Sequence, residues 1–141
     1  MSGLIVVGVD GSPTATKAAQ TAADLAASTG SRLHVVCAFD RDRVAEVVGD
    51  GTDHWLLSTA DQAATTARDV VQSLAVEGLE VTSTSAAGKP GEALVNEAER
   101  LGATLIVVGN RRVQGISRVL GSVAAAVAHH APCDVYIVKT I

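Results

Sequence analysis

Residues 109–122 combine glycine, arginine and serine in a pattern that suits the binding of an anion. Glycines let a backbone approach a ligand closely, and Gly121-Ser122 stands directly before an alanine-rich helical stretch, where free amides and the helix dipole attract phosphate. The candidate binding residues of this segment are Gly109, Asn110, Arg111, Arg112, Gly115, Arg118, Gly121, Ser122 and Val123. The alternative interpretation is a turn at Gly109, an ordinary helix cap at Ser122 and arginines on a solvated face.

A second polar group, Asp10-Gly11-Ser12, follows the first apolar run of the chain, Leu4–Val9. A carboxylate at the end of a buried strand is unfavourable unless it has a partner or a function. Asp10 is therefore a candidate to accept a hydrogen bond from a ribose hydroxyl or to help hold a divalent cation. The alternative is a turn residue that accepts hydrogen bonds from nearby backbone amides. Ser12 and Pro13 predict the start of a helix.

Several other chemistries lack the residues that they need. Gly88-Lys89 is followed by Pro90, so there is no P-loop, and no G-x-G-x-x-G follows the first strand. An aspartate that accepts a phosphoryl group would end the third strand, where the chain has Ser85-Ala86-Ala87. No H-E-x-x-H or C-x-x-C motif is present, and no histidine has a partner at ligand spacing, so we expect no metal site and no catalytic residue.

Short β-rich runs alternate with alanine-rich helical stretches along the chain. The predicted strands are Leu4–Val9, Leu33–Phe39, Leu79–Ala86, Thr104–Val108 and Asp134–Thr140, and the predicted helices run from Pro13 up to Gly30, Trp55–Val76, Glu92–Leu101 and Val123–His130. This alternation predicts one α/β domain over residues 1–141, with a parallel, doubly wound sheet. The polar connection Asp40–Asp53 is long for a compact domain, so we expect a lid or an interaction loop there.

The position of a ligand depends on which strands are neighbours. In open α/β sheets, ligands bind beyond the carboxyl ends of the strands, where the winding direction reverses. If the first and fourth strands are adjacent, the two polar segments that follow them meet over one crevice. That adjacency is an assumption at this point, and the functional interpretation depends on it.

Composition excludes several classes of protein. The chain has 141 residues, with 24 Ala, 21 Val and only three aromatic residues, which suits helices packed closely on a buried sheet. The net charge of −4 argues against nucleic acid or an anionic membrane as a partner. No apolar run is long enough to span a bilayer, and no signal peptide is apparent. Cys37 and Cys133 predict buried, inert thiols, so we expect a cytoplasmic protein.

Five stretches together resemble the universal stress protein family over essentially the whole chain. They are Ile5–Ser12, Gly88–Leu94, Leu105–Arg111, Leu120–Val123 and Cys133–Val138. The resemblance implies a five-stranded parallel sheet of order 3-2-1-4-5 with helices on both faces, like that of the adenine nucleotide α-hydrolases. It also implies a homodimer paired through the C-terminal strand, Val135 to Thr140, and a regulatory protein partner of unknown identity.

The family contains members that bind ATP and members that bind no nucleotide, and the former carry G-x2-G-x9-G-[ST]. Gly109 and Gly121-Ser122 match the first and last parts of this motif, but Arg112 stands at the second glycine. Only eight residues separate Arg112 from Gly121, so the loop is one residue short. The guanidinium of Arg112 could clash with the phosphates or contact them, and Gly115 offers the flexibility that Arg112 removes.

The resemblance implies an adenine-nucleotide-binding stress-response module without efficient catalysis, with ATP or another adenine nucleotide, and Mg²⁺, as cofactors. By similarity Asp10 would meet the ribose, backbone near Ala38 and Ala87 would meet the adenine, and Gly109, Gly121, Ser122 and Val123 would hold ribose and phosphates. Three alternatives stay open. The ligand could be AMP, a cyclic nucleotide or another small anion; the protein could be a nucleotide-free dimeric interaction protein with Arg112 in the phosphate site; or it could be a small-molecule enzyme.

Overall fold

The computed structural model of the chain describes residues 3–40, 53–110 and 120–140. Within these ranges the strands are β1 (Leu4–Val9), β2 (Arg32–Phe39), β3 (Val81–Ala87), β4 (Leu105–Asn110) and β5 (Asp134–Lys139), and the helices are α1 (Pro13–Thr29), α2 (Asp53–Ser73), α3 (Pro90–Leu101) and α4 (Ser122–His130). The predicted alternation of strands and helices is confirmed. The lid or interaction loop expected at Asp40–Asp53 falls, for residues 41–52, outside the described residues.

The described strands form one parallel sheet in the order β3-β2-β1-β4-β5. In the middle of the sheet, Val7 of β1 lies between Val35 of β2 and Val107 of β4. The order implied by the family resemblance is confirmed, and β3, which contains serines and threonines, lies at an edge of the sheet. Because β1 and β4 are neighbours, the segments that follow them do meet at one edge of the sheet.

Helices cover both faces of the sheet because successive side chains of a strand point to opposite sides. Val7 belongs to a core cluster with alanines of α1 and α2, such as Ala22. Val6, its neighbour, belongs to a second cluster with Leu94 of α3 and Val127 of α4. The sheet is therefore doubly wound, as predicted.

Small side chains let α1 pack closely on the sheet. Its five fully buried residues are all alanine, namely Ala18, Ala19, Ala22, Ala23 and Ala26. Ser12 is the N-cap of this helix, and its Oγ accepts a hydrogen bond from the backbone N–H of Ala15 at 3.2 Å. The helix ends at Gly30, which adopts a left-handed conformation with φ of 68°. Both ends of α1 thus agree with the prediction.

Helix α2 ends three residues before the predicted end at Val76. The N–H of Leu74 donates to the carbonyl of Val71 at 3.2 Å, which tightens the last turn. The N–H of Ala75 then donates to Oε1 of Gln20 on α1, also at 3.2 Å. A side chain from another helix therefore takes the amide that would have continued α2, and β3 begins at Val81 rather than Leu79.

Other boundaries near the site also differ from the prediction. Strand β4 continues past Val108 because Gly109 and Asn110 pair with Val138 and Lys139 of β5. Helix α3 begins at Pro90 instead of Glu92, since the fixed φ of proline suits the first position of a helix. Helix α4 begins at Ser122, whereas Val123 was the predicted start, and β5 ends at Lys139 rather than Thr140.

The two cysteines are free thiols in different environments. Cys37 is buried, as predicted, but Cys133 is only partly buried, so the prediction of a buried thiol is wrong there. Cys133 lies just before the edge strand β5 and packs, partly buried, against the second core cluster. Burial raises the pKa of both thiols above its ordinary value. Separately, none of the described helices has both the length and the apolar character needed to cross a membrane.

Candidate functional site

A cleft of about 190 Å³ opens at the carboxyl ends of β1, β2 and β4. Five of the predicted binding residues line it, namely Asp10, Ser12, Ala38, Gly109 and Val123. They come from four different elements or turns, and they meet because β1 lies between β2 and β4 in the sheet. The crevice expected at this switch point is therefore present.

The segment after β1 forms a compact turn. Oδ1 of Asp10 accepts two hydrogen bonds from Ser12, one from its N–H at 2.9 Å and one from its hydroxyl at 2.6 Å. Gly11 between them has a φ of +86°, which favours glycine because side chains clash in that conformation. Asp10 is exposed, and its carboxylate at the end of the buried strand has the partner that such a position was expected to need. The turn that was the alternative interpretation is present, and water can still reach the carboxylate.

Gly109 allows close packing against the end of β4. A Cβ placed on Gly109 would lie 3.1 Å from Cγ2 of Thr140 and 3.3 Å from Cβ of Ala18, both closer than ordinary contacts. This glycine therefore allows α1 and the residue after β5 to pack against the strand beside the cleft. Packing alone therefore explains why this position needs glycine, whether or not a ligand also approaches it.

Asn110 connects the end of β4 to the start of α4. Its side chain is buried, and Oδ1 accepts a hydrogen bond from the N–H of Gly121 at 2.7 Å. Gly121 is the N-cap of α4, and no side chain of the described residues caps the helix. The first-turn amides of Ser122 and Val123 therefore face the end of the sheet with the positive end of the helix dipole behind them. This arrangement is suited to an anion.

Not every predicted residue reaches the cleft. Ala87 pairs with Phe39 at the edge of the sheet and is not among the lining residues. Gly11, Asn110, Gly121 and Ser122 adjoin the cleft without lining it. Arg111, Arg112, Gly115 and Arg118 lie outside the described residues. Among the described lining residues, Asp10 has the only ionisable side chain.

The structure adds lining residues that the sequence reasoning missed. The apolar ones are Gly8, Val9, Ala15, Val36, Pro90, Leu94 and Val108. Thr14 and Thr140 also line the cleft, and the buried hydroxyl of Thr140 has no hydrogen-bond partner among the described residues. A sequence signal existed for Thr14 and Pro90, because both lie in the first turn of a helix that follows a strand and so must lie at the carboxyl edge. Leu94 gave no such signal, since it looks like any core leucine.

A second polar cluster, also missed, lies between the sheet and α3. His34 of β2 is buried; its Nδ1 is 2.6 Å from Oγ1 of Thr82 on β3, and its Nε2 is 3.3 Å from Oε2 of Glu97 on α3. The guanidinium of Arg100 donates to both carboxylate oxygens of Glu97, at 3.0 and 2.7 Å. We call His34, Thr82, Glu97 and Arg100 the α3 cluster.

Burial and charge set the protonation of the α3 cluster. Desolvation lowers the pKa of His34 below 6.5, against the opposing effect of the Glu97 carboxylate. The hydrogen bond from Arg100 is the main reason that the pKa of Glu97 is lowered. A carboxylate only accepts hydrogen bonds, so Nε2 of neutral His34 donates to Glu97, and Nδ1 accepts from the hydroxyl of Thr82. Within the part of the chain that the structure describes, no group of three or more His, Cys, Asp or Glu could hold a metal ion.

The fold and cleft define a parallel α/β protein with a cleft at the switch point of its sheet. The model of the universal stress protein family matches residues 1–139, and the chain belongs to that family. The resemblance seen in the sequence is thus confirmed.

Individual relatives agree with this assignment. The universal stress protein Rv1636 of Mycobacterium tuberculosis is 32% identical over 143 aligned residues, covering 96% of this chain and 95% of that protein. The universal stress protein MJ0531 of Methanocaldococcus jannaschii is 28% identical over 137 residues, covering 96% and 81%. A crystal structure of a universal stress protein in complex with cAMP is 28% identical, with a TM-score of 0.67, and the match covers 99% of this chain and 98% of that one.

Proposed function

We propose that the protein binds an adenine nucleotide, ATP or a related one, in the cleft between β1 and β4, and acts as a stress-response regulatory module. One observation carries the proposal: the turn after β1 and the start of α4 reach the same cleft through Asp10 and Val123. The solved relative described in complex with cAMP supports the class of ligand, because cAMP is an adenine nucleotide.

The apolar side of the cleft suits the adenine ring. Val36, Leu94 and Val108 come from three elements and offer aliphatic surface beside Ala38. A base with flat, weakly polar faces gains from such surroundings, and backbone groups near Ala38 are available to its polar edge. The contact implied for Ala87 stays a prediction.

The sugar and phosphates are assigned to the polar side. Asp10 accepts from Ser12 through Oδ1, so its exposed carboxylate keeps capacity for a ribose hydroxyl. We assign the phosphates to the start of α4 at Ser122 and Val123, with Gly109 and Gly121 as the glycines beside them, because α4 begins without a side-chain cap. If ATP binds with Mg²⁺, Asp10 is the described lining residue whose carboxylate would hold the ion, and the ion would supply positive charge beside the phosphates.

We propose binding without efficient catalysis. The described lining residues include no histidine, cysteine or lysine that could activate a water molecule or act as a nucleophile. The ligand would instead favour one conformation of the protein and so change a surface that a regulatory partner recognises.

The ligand can be identified directly. Nucleotides released from the purified protein are analysed by mass spectrometry, and ATP, AMP and cAMP are then titrated by calorimetry. We expect Asp10→Ala to weaken binding about tenfold, since it removes one charge-assisted hydrogen bond. Asp24→Ala, which removes an exposed carboxylate from α1, is the matched control and should leave affinity unchanged. No released nucleotide and no heat with any of the three would overturn the proposal.

The nucleotide-free alternative makes an opposite prediction for Arg112. If the guanidinium fills the phosphate site, Arg112→Gly gains nucleotide affinity. If the site is open, the same substitution causes little change or a loss. Calorimetry on this variant, beside the wild-type protein, separates the two functions.

The homodimer is part of the proposal. Strand β5 is an edge of the sheet, and Tyr136 on it is one of two large hydrophobic residues that are exposed among those described, at 44%. A second copy pairing along Val135 to Thr140 would cover it. We expect Tyr136→Lys to give a monomer by light scattering. Leu120→Lys, which changes the other exposed residue, should stay dimeric; equal behaviour of both variants would contradict pairing through β5.

Two expectations concern the protein as a whole. The single-domain organisation of residues 1–141 and the cytoplasmic location stay predictions. Cell fractionation tests the second, and limited proteolysis that leaves one protected fragment of nearly full length would support the first.

A further inference from the structure

The hydrogen bond between Asn110 and Gly121 bears on which adenine nucleotide the cleft accepts. Asn110 is the last residue of β4 and is only 8% exposed. Its backbone carbonyl accepts from the N–H of Thr140 at 3.4 Å, which holds it beside β5, and its side-chain oxygen receives the N–H of Gly121 at 2.7 Å. The acceptor is therefore fixed by the sheet and directed at the start of α4.

Gly121 is suited to this contact because it has no side chain. A Cβ at this position would lie 3.2 Å from Oδ1 of Asn110, tighter than nearly all ordinary contacts. The glycine that the family motif associates with phosphate thus makes room here for an internal amide oxygen. Its own N–H is already used within the protein.

This leaves a small set of donors for phosphate at α4. The N–H groups of Ser122, Val123 and Ala124 and the hydroxyl of Ser122 stay available, because the first hydrogen bond within α4 is made by the N–H of Ala125 and no side chain of the described residues caps the helix. These donors, all at one helix start, can serve the oxygens of one phosphate group. A second phosphate that recruited the Gly121 N–H would leave the buried Oδ1 of Asn110 without its partner, which is unfavourable.

We propose that Asn110 is a specificity-determining residue that makes the cleft selective for adenosine monophosphates, linear or cyclic, over ATP. It acts through Gly121, by occupying an amide that a polyphosphate would use. This inference rests on the proposed function and narrows its ligand.

The test compares ratios of affinities. The wild-type protein, Asn110→Ala and Asn96→Ala are titrated with AMP and with ATP by calorimetry. Asn96 is an exposed asparagine on α3, so its variant controls for the substitution itself. We expect the wild type to bind AMP about tenfold more tightly than ATP, as one unpaired buried acceptor implies. In Asn110→Ala the preference should shrink about tenfold, while Asn96→Ala keeps it.

The outcomes distinguish a failure of the role of Asn110 from a failure of nucleotide binding itself. Tighter binding of ATP than AMP by the wild type, or an unchanged ratio in Asn110→Ala, overturns the role of Asn110 but leaves nucleotide binding intact. Absence of binding of either nucleotide by the wild type overturns the proposed function as well.

A second measurement covers the case in which Asn110→Ala fails to fold. In ¹⁵N-labelled wild-type protein, the Gly121 amide should exchange slowly, and its shift should change little when AMP saturates the site. A large shift of this amide with AMP, or fast exchange in the free protein, would contradict the proposal.

Discussion

The turn after β1 and the α3 cluster are both small polar networks beside the sheet, but they differ in range and burial. In the turn, Asp10 contacts Ser12, two residues away, and the carboxylate is exposed. In the cluster, His34 contacts Thr82 and Glu97, which are 48 and 63 residues away, and the imidazole is buried. Water can replace a lost contact in the first network but not in the second.

This difference indicates a division of roles. An exposed carboxylate in a fixed turn can accept a ligand without disturbing the fold. A buried imidazole, bonded on both nitrogens, instead joins β2, β3 and α3, and α3 carries Pro90 and Leu94 to the cleft. The α3 cluster thus supports one wall of the cleft from a distance.

Removal of Glu97 should have the largest effect on stability. Glu97→Ala leaves Nε2–H of buried His34 without an acceptor and loosens α3, so we expect a loss of about 2–3 kcal/mol in the free energy of unfolding, measured with urea. Glu99→Ala, an exposed change on the same helix, should cost less than about 0.5 kcal/mol. Similar losses in the two variants would contradict the structural role given to the cluster.

Loss of the helix cap in the turn should have a smaller effect. Ser12→Ala removes the acceptor for Ala15 N–H and the donor to Asp10, and we expect a loss of about 1 kcal/mol. Ser28→Ala near the other end of α1 is the control, because its hydroxyl only donates to a carbonyl within the helix. If Ser12→Ala destabilised the protein as much as Glu97→Ala, the contrast between exposed and buried networks would fail.

The smallest expected effect is a dependence of stability on pH. The pKa of His34 is lower in the folded protein than its ordinary 6.5, so the unfolded chain takes up a proton first as the pH falls. The stability due to neutral His34 is therefore present above about pH 6.5 and declines below it. Urea titrations at pH 7.5 and 5.5 should show a larger decline for the wild type than for His34→Gln.

Parallel declines in the two proteins would mean that His34 titrates alike folded and unfolded. Below pH 4.5 a further loss is expected in both, because the pKa of Glu97 is also lowered by the fold.

Much of the fold was accessible from the sequence because its signals are local. Apolar runs, Ser12-Pro13 and Gly30 mark strands and the limits of α1, and each acts through neighbours a few residues away. The end of α2 was predicted wrongly because the amide of Ala75 bonds to Gln20, 55 residues earlier in the chain. A contact of that range has no counterpart in a local pattern.

The residues of the candidate site also divide into those with a local sequence signal and those placed by long-range contacts. Asp10, Gly109 and the start of α4 could be chosen because turns, glycines and helix starts have recognisable residue types. The bond from Gly121 to Asn110 could not, since it spans 11 residues between two elements whose relative position is set by the sheet. The same holds for Leu94 and Thr140, which line the cleft only because α3 and β5 pack beside β1 and β4.

The sequence by itself determined the order of the secondary structure elements and the family to which the chain belongs, and it left the turn at Asp10 as one of two interpretations. Only the tertiary structure showed which strands are neighbours. It also showed the cleft, the hydrogen bond that occupies the amide of Gly121, and the α3 cluster. The physical reason is that propensity, capping and periodicity act between residues close in sequence. Burial and long-range hydrogen bonds depend on which surfaces the completed sheet brings together.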